Sequence, residues 1–337
     1  MKVLYIGQFT QGTTSRMRGE TLERVLNPAL FKVIDTNIPF YQTNKLVRSF
    51  GFRYKFGPLI DKINKFIEES ATGAFDLIWV DKAVFVTDSI TEKLRSLAKT
   101  LVHYTPDTAF LENRSRHFYR SIKYYDFLIT TKSFEEEAYL KYVKKDKLLY
   151  ITQGFDKRVH LPRNSFEEKQ DSIVFIGLNE PSREHVLDRL LEEGIRVQLA
   201  GKNWGKYIGQ NPSENLEFLG ESLYKDAYAQ TISRAYFGLG LVSKRFPELH
   251  TTRTFEIPAC GTLLLTERNI ETLSIFNEEE ALFFSDLDEL VNKVKYYLNN
   301  IKDLKEKTEN GFNKVTNMGY DYESQLKDLC KTMGLCH

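Results

Sequence analysis

Short apolar runs alternate with amphipathic stretches along the whole chain, and that alternation limits the possible folds more than any other feature of the sequence. Residues 2–7 (KVLYIG), 31–38, 76–80 (DLIWV), 101–104 and 127–130 (FLIT) read as strands. Helical periodicity occupies 16–26 and 55–69, the second with Leu59, Ile63 and Phe66 on one face. Strands separated by helices pair in parallel through right-handed crossovers, which predicts a doubly wound α/β domain.

The pattern restarts at 172–177 (SIVFIG), a strand followed by a helix over 182–193 that Gly194 closes. Strands at 195–200, 216–219, 236–241, 262–265 and 281–284 follow, then helices over 286–299, 301–317 and 322–333. Gly154 and Pro162 interrupt the pattern between the halves, and 337 residues exceed what one core usually fills. We expect a Rossmann-like domain over 1–155, a second over 156–320, and a terminal helix over 321–337 that packs back toward the first. Two such domains in tandem would face each other across an interdomain cleft, at the carboxyl ends of both sheets.

No apolar run is long enough to span a bilayer, and the first residues read as a strand rather than a signal peptide. Cys260, Cys330 and Cys336 fit neither a zinc site nor a disulfide framework. A reducing, cytoplasmic location is the resulting expectation, with peripheral contact at the inner membrane surface as an extension of it. Residues 1–155 hold 24 Lys+Arg against 17 Asp+Glu (+7), and the remainder 23 against 29 (−6). The two halves should therefore meet different partners.

The stretch HTTRTFEIPACGTLLLTE (250–267) is oddly polar for the approach to a buried strand. Thr251, Thr252 or Thr254 is placed to cap a short helix whose first turn tolerates Pro258, and Gly261 would end it. Free N–H groups at such a helix start favour a phosphate, and the planar fork of Arg253 suits a diphosphate. Glu256 is a natural acceptor for the two hydroxyls of a ribose. Phosphate and ribose together point to a nucleotide-sugar. Arg253 pairing with Glu256 or Glu248, and Glu256 merely balancing the helix dipole, are the plainer alternatives. Pro247 and His250 mark what reads as a mobile loop, and Cys260 reads as a small buried apolar residue.

Glu248 stands eight residues before Glu256, and this E-x7-E spacing resembles the paired glutamates of many retaining GT-B glycosyltransferases. The flank FEIPACGTLLLTE resembles the donor-binding segment of the CgeB-like, spore-maturation type glycosyltransferases and the glycosyl transferase group 1 family. Residues 172–204 resemble the family's opening strand, helix and second strand, ending in a Gly-Lys-x-Trp turn, and 296–329 resemble its closing helices. At 318–325 (MGYDYESQ) the chain departs from the family's usual His-Thr-Tyr and later Arg, so no role is carried to that segment. The resemblance implies a GT-B fold, with 1–155 on the acceptor side and 156–320 binding the donor. It implies Glu256 on ribose, Glu248 near the sugar hydroxyls and Arg253 near the diphosphate. It further implies Gly177 allowing close backbone approach, and Lys202 with Asn203 reaching donor phosphates or sugar. Independently, AGKNWG follows a strand, which also places Lys202 at the cleft edge or leaves it a solvated turn lysine.

In the first half, GQFTQGTTSRMRGE puts Gly7 and Gly12 in a loop that either approaches a phosphate or acceptor or is a plain turn. In the plain case Thr14 or Ser15 caps the helix, and Arg16 and Arg18 are solvated. His103 and Asp107 of HYTPD follow a strand and either orient the acceptor hydroxyl or are ordinary loop residues. The DLD at 286–288 matches a metal-binding pattern, but N-capping explains it better, so no essential metal and no other cofactor is expected. Residues 44–66 interleave Lys45, Arg48, Arg53, Lys55, Lys62 and Lys65 with five aromatics. That composition suits an anionic membrane surface or nucleic acid, or simply a basic solvated helix pair.

The function expected is metal-independent transfer of a sugar, with retention, from a UDP- or GDP-linked donor to a glycan, lipid-linked or other hydroxyl acceptor. Transfer to modified DNA bases, nucleotide-sugar epimerisation and a non-catalytic binding or coat-assembly role are the alternatives.

Overall fold

The computed structural model describes residues 1–336, which divide into two compact units, 1–152 with 323–336, and Gln153–Tyr322. The first unit is built on β1 (Lys2–Gly7), β2 (Leu30–Asp35), β3 (Phe75–Asp81), β4 (Ala98–Thr105), β5 (Phe127–Thr130) and β6 (Leu148–Tyr150). Its six strands lie in the order β2-β1-β3-β4-β5-β6, each neighbouring pair parallel. Alternate residues point to opposite faces of such a sheet. Leu4, Ile6, Ile78 and Val80 pack with Leu59, Ile63 and Ile67 of the helix Pro58–Ser70. Val3, Tyr5, Leu77 and Trp79 pack on the other face with Leu22 and with Leu326, Leu329 and Cys330 of the terminal helix Tyr322–Thr332.

Three local expectations are revised. β2 stops at Asp35, whose Oδ1 accepts from the amides of Phe9 and Asn37 and turns the chain into the helix Asn37–Tyr41. The periodicity at 55–69 belongs to the second of two helices, Lys45–Tyr54 and Pro58–Ser70. Left-handed Lys55 (φ 54°) ends the first, and Gly57 (φ 88°) with Pro58 opens the second, because proline at a first helical position forfeits no bond. Strand β6 carries too short an apolar run to stand out in the sequence.

Arg18 is no solvated residue. It is 2% exposed on the helix Thr14–Leu26, which Thr13 caps in place of Thr14 or Ser15. Its Nε and Nη2 donate to the two Asp81 carboxylate oxygens at 3.1 and 3.2 Å, and its guanidinium lies 4.6 Å from the Tyr104 ring centroid. The Tyr5 hydroxyl donates to Asp81 at 2.8 Å, and burial together with Asp81 pushes that phenol well above its ordinary pKa. This charged cluster pins the helix to the carboxyl ends of β1 and β3.

The second unit carries β7 (Gln170–Ile176), β8 (Val197–Ala200), β9 (Leu216–Phe218), β10 (Ala235–Leu239), β11 (Leu263–Glu267) and β12 (Leu282–Phe284). They lie in the order β12-β11-β10-β7-β8-β9, again parallel throughout. Chain order reverses between β7 and β10, and the crevice beyond their carboxyl ends is where open α/β sheets bind ligands. Gly238 of β10 lets the helix Arg253–Ala259 settle on the sheet, since a Cβ there would come 2.7 Å from Cγ2 of Ile257.

Breaking the Arg18–Asp81 pair should leave a buried charge uncompensated. Arg18→Ala and Asp81→Ala should each cost about 3–5 kcal/mol in denaturant unfolding, and the double variant less than their sum. Additive small losses would show that the pair is not a joint.

Candidate functional site

At the switch point of the second unit, two arginines from different helices meet one aromatic ring of β7. Pro181 opens the helix Pro181–Glu192, and Arg183 in its first turn is 5% exposed. Its Nη1 donates to the Leu178 carbonyl at 2.8 Å and lies 3.4 Å from Glu180. Arg253, half-buried at the start of its own helix, donates through Nη2 to the Leu241 carbonyl at 2.9 Å. The two guanidinium carbons stand 5.6 and 5.8 Å from the Phe175 ring centroid. Burial, and then the charge of Arg253, lower the Arg183 pKa, while Glu180 and Glu248 partly restore it. Nε of each arginine is buried without a hydrogen-bond partner among the described residues. Two cations held close together with unused donors suit an anion.

One turn along the helix from Arg253, Glu256 is 5% exposed, with one oxygen hydrogen-bonded and the other facing His160. Tyr228, on the helix Lys225–Arg234, donates its hydroxyl to Oε2 at 2.6 Å. Burial and then Glu256 push that phenol well up, which keeps it a donor. His160 Nδ1 accepts from the Asp156 amide at 3.0 Å, which puts the ring proton on Nε2, 3.6 Å from Glu256 Oε1. A carboxylate fixed this way retains lone pairs for further hydroxyl donors.

Several expectations for this stretch change in detail. Thr252 occupies the cap position with helical dihedrals and no side-chain capping bond, its carbonyl accepting from the Phe255 and Glu256 amides. The helix therefore starts at Arg253, and Pro258 falls in its last turn rather than its first. Gly261 does end it, at φ 70°. The segment at 247–250 is anchored at His250, which is 3% exposed, accepts from the Gln153 amide at 3.0 Å and bonds Glu271 at 2.6 Å. Glu248, in the loop before the helix, is half-buried and close enough to Arg183 to raise its pKa. Cys260 is fully buried, and burial raises its thiol pKa.

Gly177 follows β7, and its carbonyl accepts from the Trp204 indole at 2.8 Å. A Cβ on Gly201 (φ 140°) would lie 1.8 Å from that carbonyl, so the turn after β8 closes on β7 only because residue 201 is glycine. Lys202 and Asn203 (φ 69°) cap this turn with exposed side chains, and the Lys202 carbonyl accepts from the Asn179 amide at 3.0 Å. Asp286 caps the helix Leu287–Asn299 by accepting from the Glu289 amide, and Asp288 pairs with Arg189 at 2.9 Å.

In the first unit, Gly12 (φ 84°) lies half-buried in the loop after β1. Asp107 sits 2.7 Å from the Lys82 ammonium. Burial raises that carboxyl, and Lys82, Lys132 and Arg18 more than offset it, holding it below the usual range. His103 does not orient an acceptor, nor is it a loop residue. It lies inside β4, 1% exposed, with ring centroids 4.6 Å from Phe118 and 5.3 Å from Tyr125. Neither nitrogen has a hydrogen-bond partner among the described residues, and burial lowers its pKa to about 3.

Known structures share this fold at low identity. The Anabaena protein HepE, solved with UDP-glucose, matches with a TM-score of 0.70 and 14% identity over 100% of both chains. Sucrose-phosphate synthase of Thermosynechococcus elongatus matches at 0.67 and 13%, covering 99% of this chain and 98% of its own. The trehalose 6-phosphate synthase of Burkholderia multivorans gives 0.63 and 9% with the same coverage. The fold is GT-B-like. No curated protein matches the chain. Residues 183–331 match the family model described as glycosyl transferase-like. That segment and this fold are what the chain shares with glycosyltransferases. The matched stretch runs from Arg183 to Lys331 and so includes Arg183, Tyr228, Arg253 and Glu256, whereas His160 lies before it.

His103 yields a pH test. Its folded pKa lies below the ordinary 6.5, so the stability it contributes is complete above pH 6.5 and is lost as pH falls toward 3. That loss should be on the order of 1.4 kcal/mol per pH unit across the window, and His103→Phe should flatten the acid limb of the stability profile. Equal slopes in the two proteins would contradict the buried neutral ring.

Proposed function

We propose that the chain transfers a sugar from a UDP- or GDP-linked donor to a hydroxyl acceptor of the glycan or lipid-linked kind, with retention and without an essential metal. The observation that carries this reading is the pair of guanidiniums, Arg183 and Arg253, beside a buried carboxylate that Tyr228 hydrogen-bonds and His160 faces. HepE was solved with UDP-glucose, which favours a nucleotide-sugar in a fold of this kind.

In this mechanism Glu256 accepts from the donor ribose, and the arginine pair holds the diphosphate. As the sugar–oxygen bond breaks, charge accumulates on the departing diphosphate, and fixed cations stabilise it where it forms. Arg183 and Arg253 supply the positive charge that a divalent ion supplies in metal-dependent transferases. Gly177 and Gly201 keep the backbone low at the end of β7, and Lys202 with Asn203 contributes from the adjoining turn. Glu248, by its spacing from Glu256, contacts the sugar hydroxyls and underlies the assignment of retention. Asp107, kept ionised beside Lys82, and the loop at Gly12 remain the acceptor-side candidates. The CgeB-like subtype rests on FEIPACGTLLLTE, whose Glu256, Pro258 and Gly261 shape the helix that presents the carboxylate.

Calorimetry with UDP, GDP and their sugars tests this directly. Wild type should bind one nucleotide, and Glu256→Ala should weaken it at least about tenfold, because a charged hydrogen-bond acceptor is lost. Arg253→Lys should lower kcat more than it raises KM, since its interaction grows in the transition state. Absence of nucleotide binding at millimolar concentration would refute the proposal.

A further inference from the structure

The helix Lys45–Tyr54 carries an apolar stripe that nothing in its own unit covers. Leu46, Phe50 and Tyr54 recur every fourth residue and so share one face, at 83, 49 and 60% exposure. Phe56, just beyond the helix, is 70% exposed, and Tyr41, before it, 63%. Gly51 faces the neighbouring helix, where a Cβ would lie 2.6 Å from Cβ of Leu59, so close packing on that side leaves the stripe outward. Cations surround the rings. The Arg53 guanidinium lies 5.7 Å from the Tyr54 centroid, Arg48 lies 5.3 Å from Tyr41, and Lys55 lies 4.2 Å from Phe52. Residues 44–66 hold six Lys and Arg against the single acid Asp61.

We propose that this face docks on an anionic lipid surface, the stripe entering the acyl boundary while the surrounding cations meet lipid phosphates. Aromatic and leucyl side chains on one face of a short helix, ringed by Lys and Arg, have the composition of an interfacial helix. Two alternatives fit the charge pattern less well. Leu46 and the 45%-exposed Ile38 offer no π-face on which a base could stack, whereas both partition into hydrocarbon. A second copy of the chain would bring like-charged rims together. The proposal is independent of the transfer reaction, because membrane binding requires no donor nucleotide.

Cosedimentation of the full chain with phosphatidylcholine vesicles, with and without phosphatidylglycerol, is the test. The chain should bind the anionic vesicles and release with added salt. Leu46→Ser/Phe50→Ser should weaken binding at least tenfold, and removing Lys45 or Arg53 should weaken it about fivefold each. Because these side chains are exposed, thermal unfolding should stay unchanged, and nucleotide affinity serves as a second control on folding. Failure to bind anionic vesicles, or undiminished binding by the double variant, would overturn the proposal. So would tighter binding to a single-stranded oligonucleotide that the same substitutions abolish, or a dimer that they dissociate.

Discussion

Two positive charges held against one ring are the constraint around which the second unit's site is arranged. Phe175 sits in the strand that borders the point of chain reversal, and Arg183 and Arg253 reach it from two different helices. Like charges in a poorly solvated place repel, so the surrounding structure has to hold them. The Leu178 and Leu241 carbonyls accept from them, and Glu180 balances part of the charge on Arg183. Glu180 also accepts from the Ser243 hydroxyl at 3.0 Å and so ties the loop after β7 to the loop after β10. What remains is a pair of neighbouring guanidiniums whose Nε donors are unused among the described residues, and an anionic ligand would meet them.

The carboxylate beside this pair is set in advance. Tyr228 fixes one Glu256 oxygen by a hydrogen bond and His160 stands 3.6 Å from the other, so a ligand that donates to it need not pay the full cost of ordering the side chain. The backbone adds its own constraint through Gly201, whose lack of a Cβ lets the turn after β8 approach the Gly177 carbonyl at the end of β7. Charge, fixed acceptor and low backbone are contributed by segments spread from His160 to Glu256, and the parallel sheet brings them to one edge.

Much of this was legible in the sequence because it rests on local pattern. Period and length placed eleven of the twelve strands, and β6 escaped because three apolar residues carry no period of their own. Arg253 and Glu256 showed themselves as charges before a buried strand, one helical turn apart. Arg183 did not, since an arginine in an amphipathic helix is ordinary until the fold buries it. His160 lies in what reads as a linker, and only tertiary packing sets it against a carboxylate 96 positions further on. The first unit repeats the lesson in reverse. His103 and Arg18 looked available from their neighbours in sequence, yet strand β4 and the Asp81 carboxylate place both in the interior.

Hydrogen–deuterium exchange with and without the nucleotide diphosphate tests the central claim most directly, because it locates the ligand. Binding at the arginine pair predicts slowed exchange in the peptides spanning 177–184, 201–204 and 251–257, which carry the amides around Arg183, Lys202 and Glu256. Protection confined to the first unit, or none in these three segments at saturating nucleotide, would contradict the account.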